Sequence, residues 1–139
     1  MTISFHAEEI DFQLPDEAAT IAWLKGVMRQ ENWHLGELSY IFCTDAYLYD
    51  MNVQHLNHDT YTDVITFQYN EEVVEGDIFI SVERIRENAT TFGVTPEREL
   101  QRVMVHGLLH LMGYKDKSPK EQAVMTAKEE EHLRTVPST

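Results

Sequence analysis

The sequence predicts one α+β (mixed α/β) domain built on a small sheet, and three observations carry that expectation. Its 139 residues are a single-domain length, enough to bury one core. Strand-like and helix-like patterns are interleaved along the chain rather than segregated into halves. Two of the strand patterns flank an acidic turn at residues 70–75 and read as a hairpin. The expected domain spans residues 1–139.

Taken in order, residues 3–6 form a short strand. Pro15 with Asp16 and Glu17 opens a helix running to about residue 33, with Ala19, Trp23, Val27 and Met28 as its apolar stripe. Residues 38–43 read as a buried strand. Thr44 and Asp45 cap a helix through about residue 56, with Leu48, Met51 and His55 on one side. Residues 64–69 give the strongest strand signal, and residues 77–81 are the hairpin partner. Ser81 caps a helix over residues 82–91 that Gly93 ends. Thr95-Pro96-Glu97 starts the next helix: threonine caps free N–H groups, proline fits the first turn, and glutamate faces the positive dipole end. Ser118-Pro119-Lys120-Glu121 is a capping box that opens a final helix fraying near Pro137.

Composition narrows the function classes. Hydrophobic content of 42% and charged content of 25% are those of an ordinary globular protein. No apolar run has the length of a membrane helix, and the first residues lack a signal-peptide pattern. The single cysteine, Cys43, excludes an intrachain disulfide, and a cytoplasmic location is expected. A net charge of −13 argues against a general nucleic-acid binder. The charge is segregated, however: residues 84–120 hold seven basic side chains against four acidic ones. That window supplies a local phosphate-facing surface, with Arg84, Arg98, Lys115 and Lys117 as its candidate substrate contacts.

The same window holds the stretch that points to chemistry. From Leu100 to Met112 the helix is apolar on almost every face, yet it carries His106 and His110. Burying two imidazoles is costly unless each finds a partner. At i and i+4 they stand on one face, about 5–6 Å apart at Cβ, a spacing that suits two ligands of one metal ion. Gly113 allows the chain to turn back, and Asp116 lies three residues on, where it closes a three-ligand site with a position left for water. A zinc so held lowers the pKa of its water to about 7 and supports hydrolysis. The pattern is close to the metzincin protease signature, but Gly107 stands where that signature has its general-base glutamate.

His106-Gly-Leu-Leu-His110-Leu-Met-Gly113-Tyr114 resembles the H-G-x-L-H-L-x-G-Y-D-H motif of the bacterial YbeY family. Thr62-Asp63-Val64-Ile65-Thr66-Phe67 is similar to that family's T-D-V-L-S-F, and Gly76-Asp77-Ile78 to its G-D-I strand. Glu121 and Met125 fit after the metal loop. The resemblance implies a small, mostly parallel sheet with one antiparallel strand, flanked by helices. It implies a zinc-dependent, single-strand-specific endoribonuclease of ribosomal RNA maturation and ribosome quality control, holding one zinc per chain. Its partners would be the ribosomal RNA precursor and the small ribosomal subunit. His106, His110 and Asp116 are then the catalytic metal ligands. Thr62 and Asp63 have two readings from their place at a strand start: positioning of the histidines or the RNA, or strand-entry capping.

Two departures from the family pattern matter. The first is at Asp116 and Lys115, where the family has its third histidine and the aspartate before it; the second is at Leu56, where it has an arginine thought to engage the RNA phosphate. A carboxylate is a legitimate zinc ligand, but its charge makes the metal less electrophilic. A non-catalytic ribosome-assembly protein with a structural zinc is therefore a second reading, and a metalloprotease a third. His55, His58 and Asp59 border the expected groove and are assigned to turn chemistry. Tyr47 and Tyr49 are assigned to packing. His6, His34 and His132 have no ligand spacing, and the run Glu129-Glu130-Glu131 is expected to be a solvated helix face.

Overall fold

A computed structural model describes residues 1–56 and 62–137. His58 and Asp59, and the side chain of Leu56, lie outside the described residues. In chain order the elements are β1 (Thr2–Glu8), α1 (Glu17–Gln30), β2 (Leu35–Cys43), α2 (Asp45–Leu56), β3 (Val64–Gln68), β4 (Val74–Ser81), α3 (Val82–Phe92), α4 (Pro96–Leu111) and α5 (Pro119–Leu133).

The strands form one sheet in the order β1-β2-β4-β3. β1 pairs parallel with β2 and β2 with β4, whereas β3 runs antiparallel to β4 with Val64 opposite Ile80. This is the α+β, mostly parallel sheet with one antiparallel strand. The alternation along β4 explains how the sheet separates two cores. Val74, Ile78 and Ile80 point to the large core, which takes Leu24, Val27 and Met28 from α1, Ile85 from α3 and the apolar faces of α4 and α5. Phe79, on the other face, packs with Cys43, Leu48, Ile65 and Tyr47 under α2. Burial lifts the Cys43 thiol to about 12.

The helix starts follow the capping chemistry of the sequence. Thr44 Oγ1 accepts from Tyr47 N at 3.1 Å, Ser81 from Arg84 N at 3.1 Å, and Thr95 from Arg98 N at 3.1 Å. Ser118 and Glu121 complete the capping box. The boundaries differ most where tertiary pairing decides them. β2 and β4 each start three residues earlier than their apolar runs, because Leu35 pairs with Val74 across a register irregularity. α1 stops at Gln30 rather than near Trp33, since Asn32 takes a left-handed φ of 62° and Trp33 N turns back to Met28 O. Its first turn begins at Glu17, because Asp16 is the cap and accepts from Ala19 N at 3.0 Å.

Candidate metal centre

α4 is the helix between the sheet and α5. Val103, Met104, Val105, Leu108, Leu109 and Leu111 are buried in the core. Tyr40 Oη donates to Met104 O at 2.9 Å, tying the helix to β2. Gly107 faces the sheet: a Cβ there would stand 2.9 Å from Ile78 Cγ2. Its hydrogen is what lets the helix approach β4 so closely, so the position of the protease glutamate points into packed core and not toward the histidines.

The other side of α4 carries a polar stripe. Glu99, Arg102, His106 and His110 succeed one another at spacings of three, four and four, which keeps them on one face. His106 Nε2 and His110 Nε2 are 3.1 Å apart. Asp116 Oδ2 lies 3.5 Å from the first and 3.3 Å from the second, so the structure brings all three proposed ligands to one point. The loop closes because Gly113 takes a φ of 94°, open to glycine, while Tyr114 N bonds back to Leu109 O at 3.0 Å.

Each imidazole is held from behind. His110 Nδ1 donates to the Tyr114 carbonyl at 3.0 Å, and His106 Nδ1 to the Glu129 carboxylate at 2.5 Å. Both Nδ1 hydrogens are therefore turned outward, and both Nε2 lone pairs converge on the Asp116 carboxylate. Three electron-pair donors this close repel one another unless a cation or a proton lies between them. The donor set thus fits a metal ion, with carboxylate–histidine support behind one ligand.

Sequence reasoning missed the groups behind the histidines. Glu129 is buried, 5% exposed, rather than part of a solvated face; of its run only Glu130 is exposed. Arg102 binds Glu99 through both carboxylate oxygens (2.9 and 2.7 Å) and reaches Glu129 Oε1 at 3.3 Å. These bonds, that from Glu99 first, raise the guanidinium pKa. Periodicity held the signal: Met125, Glu129 and His132 form the buried stripe of α5. His132, assigned no role from its spacing, is fully buried with Nε2 2.7 Å from Glu31. Tyr114 Oη donates to Glu31 at 2.7 Å and Lys128 at 3.0 Å. Glu31, Glu131 and His132 have metal-like spacing, but the Lys128 ammonium already stands among them as the cation.

The candidate substrate contacts are dispersed. Lys115 and Lys117 are exposed on either side of Asp116. Asp63 is 3.9 Å from Arg102, and burial pushes its carboxyl above the usual range, partly offset by Arg102. Thr62 Oγ1 donates to Val64 O at 3.3 Å, a strand-entry cap. Arg84 pairs with Asp45 at 2.9 Å, and Arg98 donates to Leu133 O at 3.3 Å. Tyr47 stacks near Phe79, as expected of packing. Among the described residues no helix is long and apolar enough to cross a membrane.

Fold and donor set together describe a small α+β domain in which two histidines of α4 and a carboxylate of the loop after it form a cluster that could hold a metal ion. Residues 2–137 match the family described as Endoribonuclease YbeY. Proteins of that name from Flavobacterium psychrophilum and Cytophaga hutchinsonii are 52% and 49% identical over 133 and 135 residues, in each case 95% of this chain and 94% of the relative. A solution structure from Thermotoga maritima superposes with a TM-score of 0.69 at 27% identity, covering 97% of this chain and 89% of the other. The chain belongs to the YbeY family of endoribonucleases.

Proposed function

We propose that this chain is a zinc-dependent endoribonuclease that cuts single-stranded RNA in ribosomal RNA maturation and ribosome quality control. Its partners in this reading are the ribosomal RNA precursor and the small ribosomal subunit, in the cytoplasm. The observation that carries the proposal is the convergence of His106, His110 and Asp116 on one point, in a chain of an endoribonuclease family. These three residues would hold one zinc, which when bound supplies a Lewis acid for a phosphoryl oxygen and an acidified water.

The chain's own groups do the rest. His106 and His110, fixed through Nδ1, keep the donor set open on its solvent side. Lys115 and Lys117 offer ammonium groups to the phosphate backbone and offset the charge of Asp116. Arg84, Arg98, Thr62 and Asp63 are further substrate contacts in this reading. Gly107 leaves the site without a carboxylate base, a loss that phosphodiester cleavage tolerates better than amide cleavage, which must protonate an amine leaving group.

One observation favours the non-catalytic assembly reading: the guanidinium groups of Arg84 and Arg102 are already engaged by carboxylates. Cleavage of matched single-stranded and duplex RNAs, with casein as a protease substrate, separates the readings. Zinc-dependent cutting of the single strand is expected, because an unpaired backbone enters a groove without a melting cost. Inert RNA with bound zinc would favour the assembly protein. Proteolysis lost in His106→Ala would favour the protease.

A further inference from the structure

We infer that Glu129 is a positioning residue for the metal centre: its carboxylate, clamped by Arg102, holds His106 in the tautomer that presents Nε2 to the ion. The inference rests on the proposed metal site and adds to it a residue from a different helix. Glu129 is buried on α5, and its two oxygens face two donors. Oε2 accepts from His106 Nδ1 at 2.5 Å, and Oε1 accepts from Arg102 Nη1 at 3.3 Å. Arg102 cannot swing away, because Glu99, 2% exposed, grips its Nε and Nη2. The chain Glu99–Arg102–Glu129–His106 therefore ends at a ring that cannot rotate or exchange its proton position without breaking its bond to a buried carboxylate.

The chemistry explains why a carboxylate and not an amide stands here. A guanidinium only donates, and the Nδ1–H of a metal-presenting histidine also donates. Glutamine has one accepting and one donating end, so it cannot satisfy both neighbours. Either its NH2 faces Arg102, or it faces His106 and drives the ring to the other tautomer, with the proton on Nε2 where the metal should bind. Serine proteases show the same consequence when the carboxylate behind their histidine becomes an amide.

The test is Glu129→Gln, read in two ways on the full chain. Zinc affinity, measured by competition with a chromophoric chelator, should fall about 10–100-fold, the usual cost of losing such support. Long-range 1H–15N spectra of the metal-free protein should show the His106 proton on Nδ1 in the wild type and moved to Nε2 in the variant. A purely structural role would lower the melting temperature without moving that proton. His110→Ala serves as the control for the site itself. If His110→Ala loses zinc while Glu129→Gln keeps wild-type affinity and tautomer, the positioning role is overturned and the metal site stands. If His110→Ala also keeps zinc, the site reading fails first. Should Glu129→Gln not fold, Glu129→Asp retains the charge but withdraws it by one methylene. It should then show weakened zinc binding with Nδ1 still protonated; unchanged affinity would equally overturn the inference.

Discussion

In the proposed site His106 and His110 would do the same work with unlike support, a buried carboxylate behind one and a backbone carbonyl behind the other. Their loss should nevertheless be equivalent, since either change leaves a two-ligand site. His106→Ala and His110→Ala are each expected to abolish zinc binding by elemental analysis, and retention of about one zinc by either would move the site elsewhere. Asp116→Ala should weaken binding, while Asp116→His, which exchanges one accepted ligand type for another, should preserve it. Gly107 gives a separate prediction. Gly107→Ala places a methyl 2.9 Å from Ile78 Cγ2. Overpacking of that kind costs about 1–3 kcal/mol, of which helix propensity returns about 1. A net loss of up to about 2 kcal/mol in denaturant unfolding is expected, and Gly107→Glu should cost more because it buries a carboxylate. A stabilised Gly107→Glu would show that the helix does not sit as close to β4 as described.

At the scale of elements, the helices were legible because their ends are written in local chemistry. Thr95, Ser118 and Ser81 cap where the sequence places them, and the His106–His110–Asp116 constellation follows from helical spacing and one glycine. What escaped was long-range. Glu129 belongs to a run of three glutamates; helical spacing from Met125 and His132 marks it as the buried one, but its partners His106 and Arg102 come from another helix. Glu31 meets His132, Tyr114 and Lys128 across 83 to 101 residues of chain, a meeting no local pattern announces. Two partly buried carboxylates, Glu31 and Asp63, predict opposite pH effects. Burial alone would raise the Glu31 carboxyl, but bonds from Tyr114, His132 and Lys128 outweigh it and hold it below its ordinary 4.5. Its contribution to stability is therefore full above that value and is lost as pH falls through the lower folded value. Asp63, raised by burial above its ordinary 3.8, contributes the reverse, since its ionisation in the folded state costs stability as pH rises. Melting temperatures between about pH 5 and pH 3 should decline less steeply in Glu31→Gln than in the wild type, and more steeply in Asp63→Asn. Parallel curves for all three proteins would contradict both assignments.

Over the whole molecule the question is how a chain of net charge −13 meets an anionic substrate. Charge counted along the sequence gave residues 84–120 a basic excess, but three of its arginines already have protein partners: Arg84 on Asp45, Arg98 on a carbonyl, Arg102 on three carboxylates. Lys115 and Lys117, exposed beside Asp116, are the basic groups closest to the donor set in the chain. The double variant Lys115→Ala/Lys117→Ala should weaken RNA binding and flatten the salt dependence of log affinity by roughly 0.7 for each lost phosphate contact, with zinc content unchanged. Neutralising Lys25 and Arg29 on α1 should do much less. An unaltered slope in the Lys115/Lys117 variant would leave the basic excess without a role and shift weight to the assembly reading.

The central claim is that the ion held by His106, His110 and Asp116 drives RNA cleavage, and one comparison tests it most directly. Wild type and His110→Ala, matched in concentration and in circular dichroism, are incubated with ribosomal RNA precursor in the presence of zinc. The account predicts zinc-dependent cleavage of single-stranded regions by the wild type and none above background by His110→Ala. Equal cleavage by the two proteins, or none by a wild type that carries its full zinc, would contradict it.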